Sequence, residues 1–158
     1  MNSLPAGTVT FLFTDIEGST TRWEHHPEQM HAALERHDAI LRGAIESNGG
    51  YVFRTEGDAF RAAFDTAPPV VAAALQAQQA LESEPWAQEI APIRVRMALH
   101  TGAAEVKDGD YVSPSLNRIA RLLSAAYGGQ TLLTQAAEQL IEAPVEPEDG
   151  SQVVLPRG

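Results

Sequence analysis

The chain has 158 residues, a length that fits one domain, and a formal net charge of −10 at pH 7. It contains no cysteine, which excludes disulfides, zinc–thiolate sites and iron–sulfur clusters. Only one of its 11 Lys and Arg residues is a lysine, and no basic run is present. We therefore expect no direct binding of nucleic acid by this domain.

The sequence has no recognisable targeting or membrane segment. Its N-terminus lacks the basic and long apolar regions of a signal peptide. No apolar run reaches the ~18 residues that a membrane span needs. We therefore expect a cytoplasmic protein without a membrane partner.

Alternating or β-branched runs predict strands along the chain, and periods of 3.6 residues predict helices. In chain order, the predicted elements are a strand at 8–13, a helix at 28–48, a hairpin of strands at 51–54 and 59–64, a helix at 70–81, a strand at 93–99, a helix at 114–125, a strand at 130–133, a helix at 135–141 and a strand-like run at 153–155. Residues 107–110 are predicted to form a turn.

This order, β-α-β-β-α-β followed by a β/α tail, is the ferredoxin-like pattern. We therefore predict an α+β fold with a ferredoxin-like βαββαβ core, a β/α C-terminal extension and an antiparallel sheet flanked by helices. With no internal repeat and no second domain, residues 1–158 are predicted to form a single domain whose core spans about 7–141. The abrupt end at Gly158 predicts that this domain is part of a longer chain.

Two aspartates follow apolar, strand-like runs and lie close to a glycine. Asp15 ends the first predicted strand, and Asp58 follows Gly57 at the tip of the predicted hairpin. Such an aspartate is most often a turn or capping residue. In this topology, however, the first strand and the hairpin are neighbours, so the two carboxylates can converge. Two carboxylates combined with phosphate oxygens suit Mg²⁺, and a pair of metal ions can promote in-line displacement at phosphorus.

Two further segments carry polar groups at spacings that suit a nucleotide. Gly18, Ser19 and Thr20 turn into a helix, where backbone amides can face phosphate oxygens, although an ordinary helix start has the same pattern. Asn117 and Arg121 lie one helical turn apart, where the amide can orient a sugar and the guanidinium can neutralise charge developing on phosphorus. A solvated polar stripe would have the same spacing. No Gly-x-x-x-x-Gly-Lys-Ser/Thr element is present, which argues against a P-loop enzyme.

Three motifs therefore occur in a fixed order along the chain. They are Phe13-Thr14-Asp15-Ile16 followed by Gly18-Ser19, Gly57-Asp58 in a hairpin, and Asn117 with Arg121 four residues later. Together they resemble the catalytic domain of class III nucleotidyl cyclases, most closely the bacterial type that is often fused to regulatory or DNA-binding domains. The resemblance spans roughly residues 7–141.

The resemblance implies a reaction, a metal site and an assembly. Family members convert ATP or GTP to the 3′,5′-cyclic nucleotide and pyrophosphate, through attack of the ribose 3′-hydroxyl on the α-phosphorus. It implies that Asp15 and Asp58, assisted by the Ile16 carbonyl, hold two Mg²⁺ or Mn²⁺ ions. It also implies that Asn117 positions the ribose and that Arg121 stabilises the transition state. Members act as head-to-tail dimers whose metal aspartates face the Asn and Arg of the other subunit, so we expect a homodimer.

The base-reading positions depart from the family pattern. The residue three positions before the Gly-Asp pair is usually a lysine that reads adenine, and here it is Arg54; the aspartate that accompanies it corresponds to Asp110. Guanylyl members usually carry Glu and Cys or Ser there, which favours ATP as the substrate. An arginine is longer and planar, so it can relax the selectivity or lower the activity. The one lysine, Lys107, is not assignable to the terminal phosphates.

Three interpretations stay open at this point: an adenylate cyclase, a cyclase with relaxed ATP/GTP selectivity, and a degenerate cyclase fold that binds nucleotide or partner domains with little turnover. Each is compatible with fused regulatory domains.

Overall fold

The computed structural model describes residues 4–141 in full and the backbone of residues 152–154. Within these ranges the helices are α1 (Ser19–His25), α2 (Pro27–Ser47), α3 (Ala67–Ser83), α4 (Pro114–Ser124) and the four-residue α5 (Gln135–Glu138). The strands are β1 (Gly7–Ile16), β2 (Tyr51–Glu56), β3 (Ala59–Phe64), β4 (Val95–Lys107), β5 (Asp110–Val112), β6 (Gln130–Leu133) and β7 (Gln152–Val154).

The central sheet has the strand order β2-β3-β1-β4-β6-β7, with β5 paired to the end of β4. The first four strands pair antiparallel throughout, with β1 between β3 and β4. This is the predicted ferredoxin-like core, and the α+β fold is confirmed. The extension departs from the antiparallel expectation, because β6 pairs with β4 in parallel and β7 pairs with β6 in parallel.

The two faces of the sheet are covered by different helices because successive side chains of β1 point to opposite sides. Leu12 and Ile16 face one side and belong to the large core cluster that includes residues of α2 and α3. Phe11 and Phe13 face the other side and pack in a smaller cluster with Ile119 of α4. The second face is therefore only partly covered, and it carries the polar end of β1.

The largest difference from the sequence expectation is the length of β4. The sequence pattern predicts a strand at 93–99, but β4 runs to Lys107 and forms a hairpin with β5, an element that the pattern does not predict. The predicted turn at 107–110 is the tip of this hairpin, where Asp108 (φ 53°) and Gly109 (φ 77°) both adopt positive φ. Two such residues form the tight turn whose twist matches paired strands.

Smaller differences concern the element ends. The segment after Gly18 forms its own short helix, α1, which is separated from α2 by His26. The predicted helix at 135–141 ends at Glu138. The strand-like run at 153–155 falls partly on β7, and Leu155 lies outside the described residues. No helix in the described part of the chain is long and apolar enough to cross a membrane.

The docking of α4 on the sheet depends on the absence of a side chain at Gly102. A Cβ placed on Gly102 would collide with the Ser115 side chain near the start of α4 and lie 3.1 Å from Nε2 of His100. Close packing at this point holds α4, and with it Asn117 and Arg121, against β4.

We expect Gly102→Ala to lower the free energy of unfolding by roughly 1–3 kcal/mol, because the added methyl group overpacks this contact. Ser115→Ala should recover part of the loss in the double variant. Gly43→Ala is the matched control, since no atom lies within 4 Å of the position that its methyl group would take. Urea unfolding of all four proteins measures the effect, and equal losses in Gly43→Ala and Gly102→Ala would contradict the packing argument.

Candidate active site

The two aspartates converge at one end of the central strands. Asp15 is near the end of β1, and Asp58 is in the turn between β2 and β3. The backbone N–H of Ile16 donates a hydrogen bond to Oδ1 of Asp58 at 3.2 Å, so the Asp58 carboxylate lies beside the residue that follows Asp15. Both side chains are half-buried. The pairing of β1 with β3 therefore brings together two acidic groups that are 43 positions apart in the sequence.

Arg96 is a residue of this site that the sequence interpretation missed. It lies directly opposite Asp15 in the β1–β4 register. Its Nε donates to Oδ1 of Asp15 at 2.6 Å and its NH2 donates to Oδ2 at 2.5 Å. The hydrogen bonds to Asp15 raise the pKa of Arg96. The alternating pattern of the strand indicated a polar face that included Arg96, but only the strand register shows which carboxylate it meets.

The acidic pair fits a hard divalent cation that is shared with a ligand. Among the described residues, no group of three or more His, Cys, Asp or Glu side chains is arranged to hold a metal ion by itself. Asp15 and Asp58 supply oxygen donors only. The backbone carbonyl of Ile16, the residue directly after Asp15, is a further oxygen donor. Mg²⁺ typically takes one or two carboxylates and completes its shell with water and substrate phosphate oxygens. The donor set is therefore compatible with Mg²⁺ or Mn²⁺ bound together with a phosphate ester.

The loop from Glu17 to Thr20 is held in place by one arginine. Gly18 adopts the left-handed conformation (φ 65°) and precedes α1, which starts at Ser19 with no side-chain cap. Arg22 donates to the carbonyls of Glu17 and Gly18 at 3.0 and 3.1 Å, and its other nitrogens bind the carbonyls of Ile90 and Pro92 at 2.8 Å. Arg22 therefore ties the start of α1 to the segment that carries Ile90 and Pro92.

Arg54 and Asp110 meet within one chain, although they are far apart in sequence. NH1 of Arg54 lies 3.3 Å from Oδ2 of Asp110 on β5, and NH2 of Arg54 lies 2.6 Å from Oε1 of Glu56. The two predicted base-reading residues thus form a donor–acceptor pair. The pair is about half exposed, so its polar groups are accessible to a ligand.

Asn117 and Arg121 are both exposed on α4, as the helical spacing predicted. Arg121 lines a cleft of about 600 Å³ together with Arg118, His100 and Thr134. Among residues 4–141, no hydrogen bond or ion pair joins Asn117 or Arg121 to Asp15 or Asp58. Within one chain, the α4 residues of the predicted site therefore make no direct polar contact with the acidic pair in the described part of the structure.

Two histidines near the predicted site are affected by burial. His37 of α2 is fully buried, contacts Phe60 edge-on at 5.7 Å and has no hydrogen-bond partner on Nε2. Nδ1 of His100 lies at hydrogen-bond distance, 2.9 Å, from the hydroxyl oxygen of Thr134. Nε2 of His100 likewise has no hydrogen-bond partner. Burial lowers the pKa of both side chains, most directly through loss of solvation.

Residues 1–154 match the family of adenylate and guanylate cyclase catalytic domains. Because the match covers nearly the whole chain, this chain belongs to that family, and the resemblance inferred from the three motifs is confirmed.

Similar proteins span a wide range of organisms. An uncharacterized protein of Mycobacterium tuberculosis is 41% identical over 155 residues, covering 97% of this chain and 51% of the relative. An adenylate cyclase of Schizosaccharomyces pombe is 33% identical over 152 residues, covering 81% of this chain and 9% of the relative. The chain thus spans about half the length of the mycobacterial relative and much less of the fungal one.

The fold also matches solved cyclase structures. The structure of a Trypanosoma brucei adenylate cyclase in its monomeric state superposes with a TM-score of 0.82 at 28% sequence identity, covering 90% of this chain and 78% of that one.

The ion pair of Arg96 with Asp15 leads to a test of how the site is stabilised. The side chains are 27% and 21% exposed, respectively. We expect Arg96→Gln to lower the free energy of unfolding by about 1–3 kcal/mol, because it leaves a half-buried carboxylate without its charged donor. Asp15→Asn in the same chain should restore part of that loss, since the remaining group is neutral.

Chemical denaturation of the single and double variants measures this coupling. Arg42→Gln is the control, because the pair of Arg42 with Glu46 is more than half exposed and such pairs contribute roughly 0–1 kcal/mol. A double variant that is less stable than Arg96→Gln would contradict the proposed origin of the loss.

Proposed function

We propose that this domain is an adenylate cyclase, which converts ATP to 3′,5′-cyclic AMP and pyrophosphate. The observation that carries the proposal is the hydrogen bond between the Ile16 amide and Asp58, which places the Asp58 carboxylate next to Asp15. In a member of the adenylate and guanylate cyclase family, this pair is the natural site for a metal-bound triphosphate.

The reaction requires one bond to form and one to break at the α-phosphorus. The ribose 3′-oxygen attacks the α-phosphorus, loses its proton, and displaces pyrophosphate. Mg²⁺ or Mn²⁺ at Asp15, Asp58 and the Ile16 carbonyl would supply neutralisation of the phosphate charge. The amides of Ser19 and Thr20 follow a loop whose carbonyls at Glu17 and Gly18 are bound by Arg22, and they would donate to phosphate oxygens.

The other half of the proposed site is supplied by α4 of a second copy of the chain. Asn117 would orient the ribose, and Arg121 would stabilise the negative charge that develops in the transition state. The lack of a direct polar contact between these α4 residues and the acidic pair, among residues 4–141, is compatible with a homodimer that has sites at its interface. The domain is proposed to be part of a longer chain, since it covers about half of the mycobacterial relative, and regulatory domains fused to it would fit this arrangement.

The base is proposed to be read by Arg54 and Asp110. Their contact at 3.3 Å supports this assignment, because it presents a donor and an acceptor side by side. Adenine offers the complementary acceptor N1 and donor N6. The relative from Schizosaccharomyces pombe is named an adenylate cyclase, which supports ATP over GTP. Glu56 is a second acidic residue in contact with Arg54, and it would compete with Asp110 and with the base for the guanidinium. We therefore propose that the selectivity for ATP over GTP is moderate.

The direct test is turnover of ATP and of GTP with Mn²⁺, with chromatographic identification of the cyclic product. We expect cyclic AMP to form faster than cyclic GMP. Asp58→Asn should lower kcat/KM by about a thousandfold or more, because it removes a metal ligand while keeping the size of the side chain. Asp65→Asn, an exposed aspartate just beyond the opposite end of β3, is the control and should retain activity.

Two results would reject this proposal. One is a folded wild-type dimer that yields no cyclic nucleotide from either substrate. The other is a folded Asp58→Asn variant with near-normal Mn²⁺-dependent turnover.

A second test concerns the division of the site between chains. Asp58→Asn and Arg121→Gln should each be inactive, but a mixture should regain about a quarter of wild-type activity per chain. Half of the dimers are then mixed, and each mixed dimer has one intact site. The control mixture is Asn117→Ala with Arg121→Gln, in which every mixed site keeps one lesion, so it should stay inactive.

Activity in both mixtures, or in neither when subunit exchange is demonstrated, would contradict a site divided in this way.

A further inference from the structure

Arg61 is an arginine on the open face of the sheet that the proposed reaction does not yet use. It lies on β3, and its register partner on β1 is Phe13. Its guanidinium carbon lies 4.9 Å from the centre of the Phe13 ring, so the side chain stacks over that ring on the face that also carries Asp15. Arg61 is therefore half-buried and held in position rather than extended into solvent.

The charge environment of Arg61 is unusual for so acidic a chain. Its register partner on the other side, on β2, is Arg54. Like charges directly opposite each other in a sheet are unfavourable. Arg54 is compensated by Glu56 and Asp110. The ion pairs among residues 4–141 do not include Arg61, although the chain has a net charge of −10.

The two carboxylates of the acidic pair already have partners. Asp15, two residues beyond Phe13 on the same face of β1, has both oxygens bound by Arg96. Asp58 accepts the Ile16 amide. Arg61 and Arg96 thus lie on the two strands that flank β1, with Arg96 opposite Asp15 and Arg61 opposite Phe13, and of the two only Arg96 forms an ion pair among residues 4–141.

We propose that Arg61 binds the polyphosphate chain of the nucleotide, on the same subunit as the metal-binding aspartates. A fixed guanidinium beside a metal–phosphate site donates in a fork that matches phosphate oxygens. The one lysine, Lys107, lies at the opposite end of β4 from Arg96 and cannot reach this site in the same chain. This inference rests on the proposed nucleotide substrate, but it concerns binding and is testable without turnover.

The experiment is isothermal titration calorimetry of the folded protein with inorganic tripolyphosphate in the presence of Mg²⁺. Arg61→Gln should weaken tripolyphosphate binding by about tenfold to a hundredfold, as expected for a lost charge-assisted hydrogen bond. Arg61→Lys should recover part of the affinity. Arg42→Gln is a matched control, because Arg42 also lies over a phenylalanine, at 5.7 Å from the Phe60 ring, but belongs to α2 on the opposite face.

A nucleotide series separates phosphate binding from other roles. Arg61→Gln should weaken ATP binding more than ADP binding, and should leave AMP binding within about twofold of the wild type. A structural role would affect all three equally, and a role in the dimer would change the sedimentation of the protein without this gradient. Either result would overturn the inference. In the tripolyphosphate titration, unchanged affinity in Arg61→Gln, or no binding of tripolyphosphate by the wild type, would also overturn it.

Failure of the proposed function is distinguishable from failure of this inference. A wild type that binds tripolyphosphate through Arg61 but makes no cyclic nucleotide contradicts the cyclase activity alone. A wild type that makes cyclic AMP, with tripolyphosphate affinity unaltered by Arg61→Gln, contradicts the role of Arg61 alone.

Discussion

The antiparallel pairing of β1 with β3 on one side and β4 on the other sets the positions of Asp15, Arg96 and Arg61 on the open face of the sheet. This register places Asp15 opposite Arg96 and Phe13 opposite Arg61. Because a strand alternates its side chains, a slip of one residue would move Asp15 and Phe13 into the apolar layer under α2 and α3 and turn Leu12 and Ile16 to the other face. Burial of the aromatic residues therefore also determines where the charged groups lie.

The same pairing explains why one face of the sheet is available for chemistry. α2 and α3 cover the side that holds the large core, whereas α4 and the β4–β5 hairpin cover only part of the other. The uncovered part contains four charged side chains in neighbouring positions, namely Asp15, Arg96, Arg61 and Arg54. A face with this much charge is stable because Asp15 and Arg96 neutralise each other and because Phe13 supports Arg61.

Net charge and local charge oppose each other in this domain. The chain as a whole is acidic, which repels a polyanionic nucleotide at long range. Arg61 on β3, which forms no ion pair among residues 4–141, and Arg118 and Arg121 on α4 would supply positive charge locally to the proposed site. Binding is then expected to depend on short-range contacts and on divalent cations, since screening at physiological ionic strength limits longer-range attraction to roughly 8 Å.

Local patterns were sufficient to predict the ferredoxin-like core and to single out the two aspartates and the Asn117–Arg121 pair as candidate site residues, because these depend on periodicity and on short motifs. Only the folded chain shows that Arg96 meets Asp15, that Arg61 stacks on Phe13, and that β6 and β7 join the sheet in parallel. Such contacts depend on the register between strands far apart in the chain, which no local pattern encodes. The length of β4 and the existence of β5 were also missed, since the hairpin is stabilised by pairing around a two-residue turn rather than by an apolar pattern.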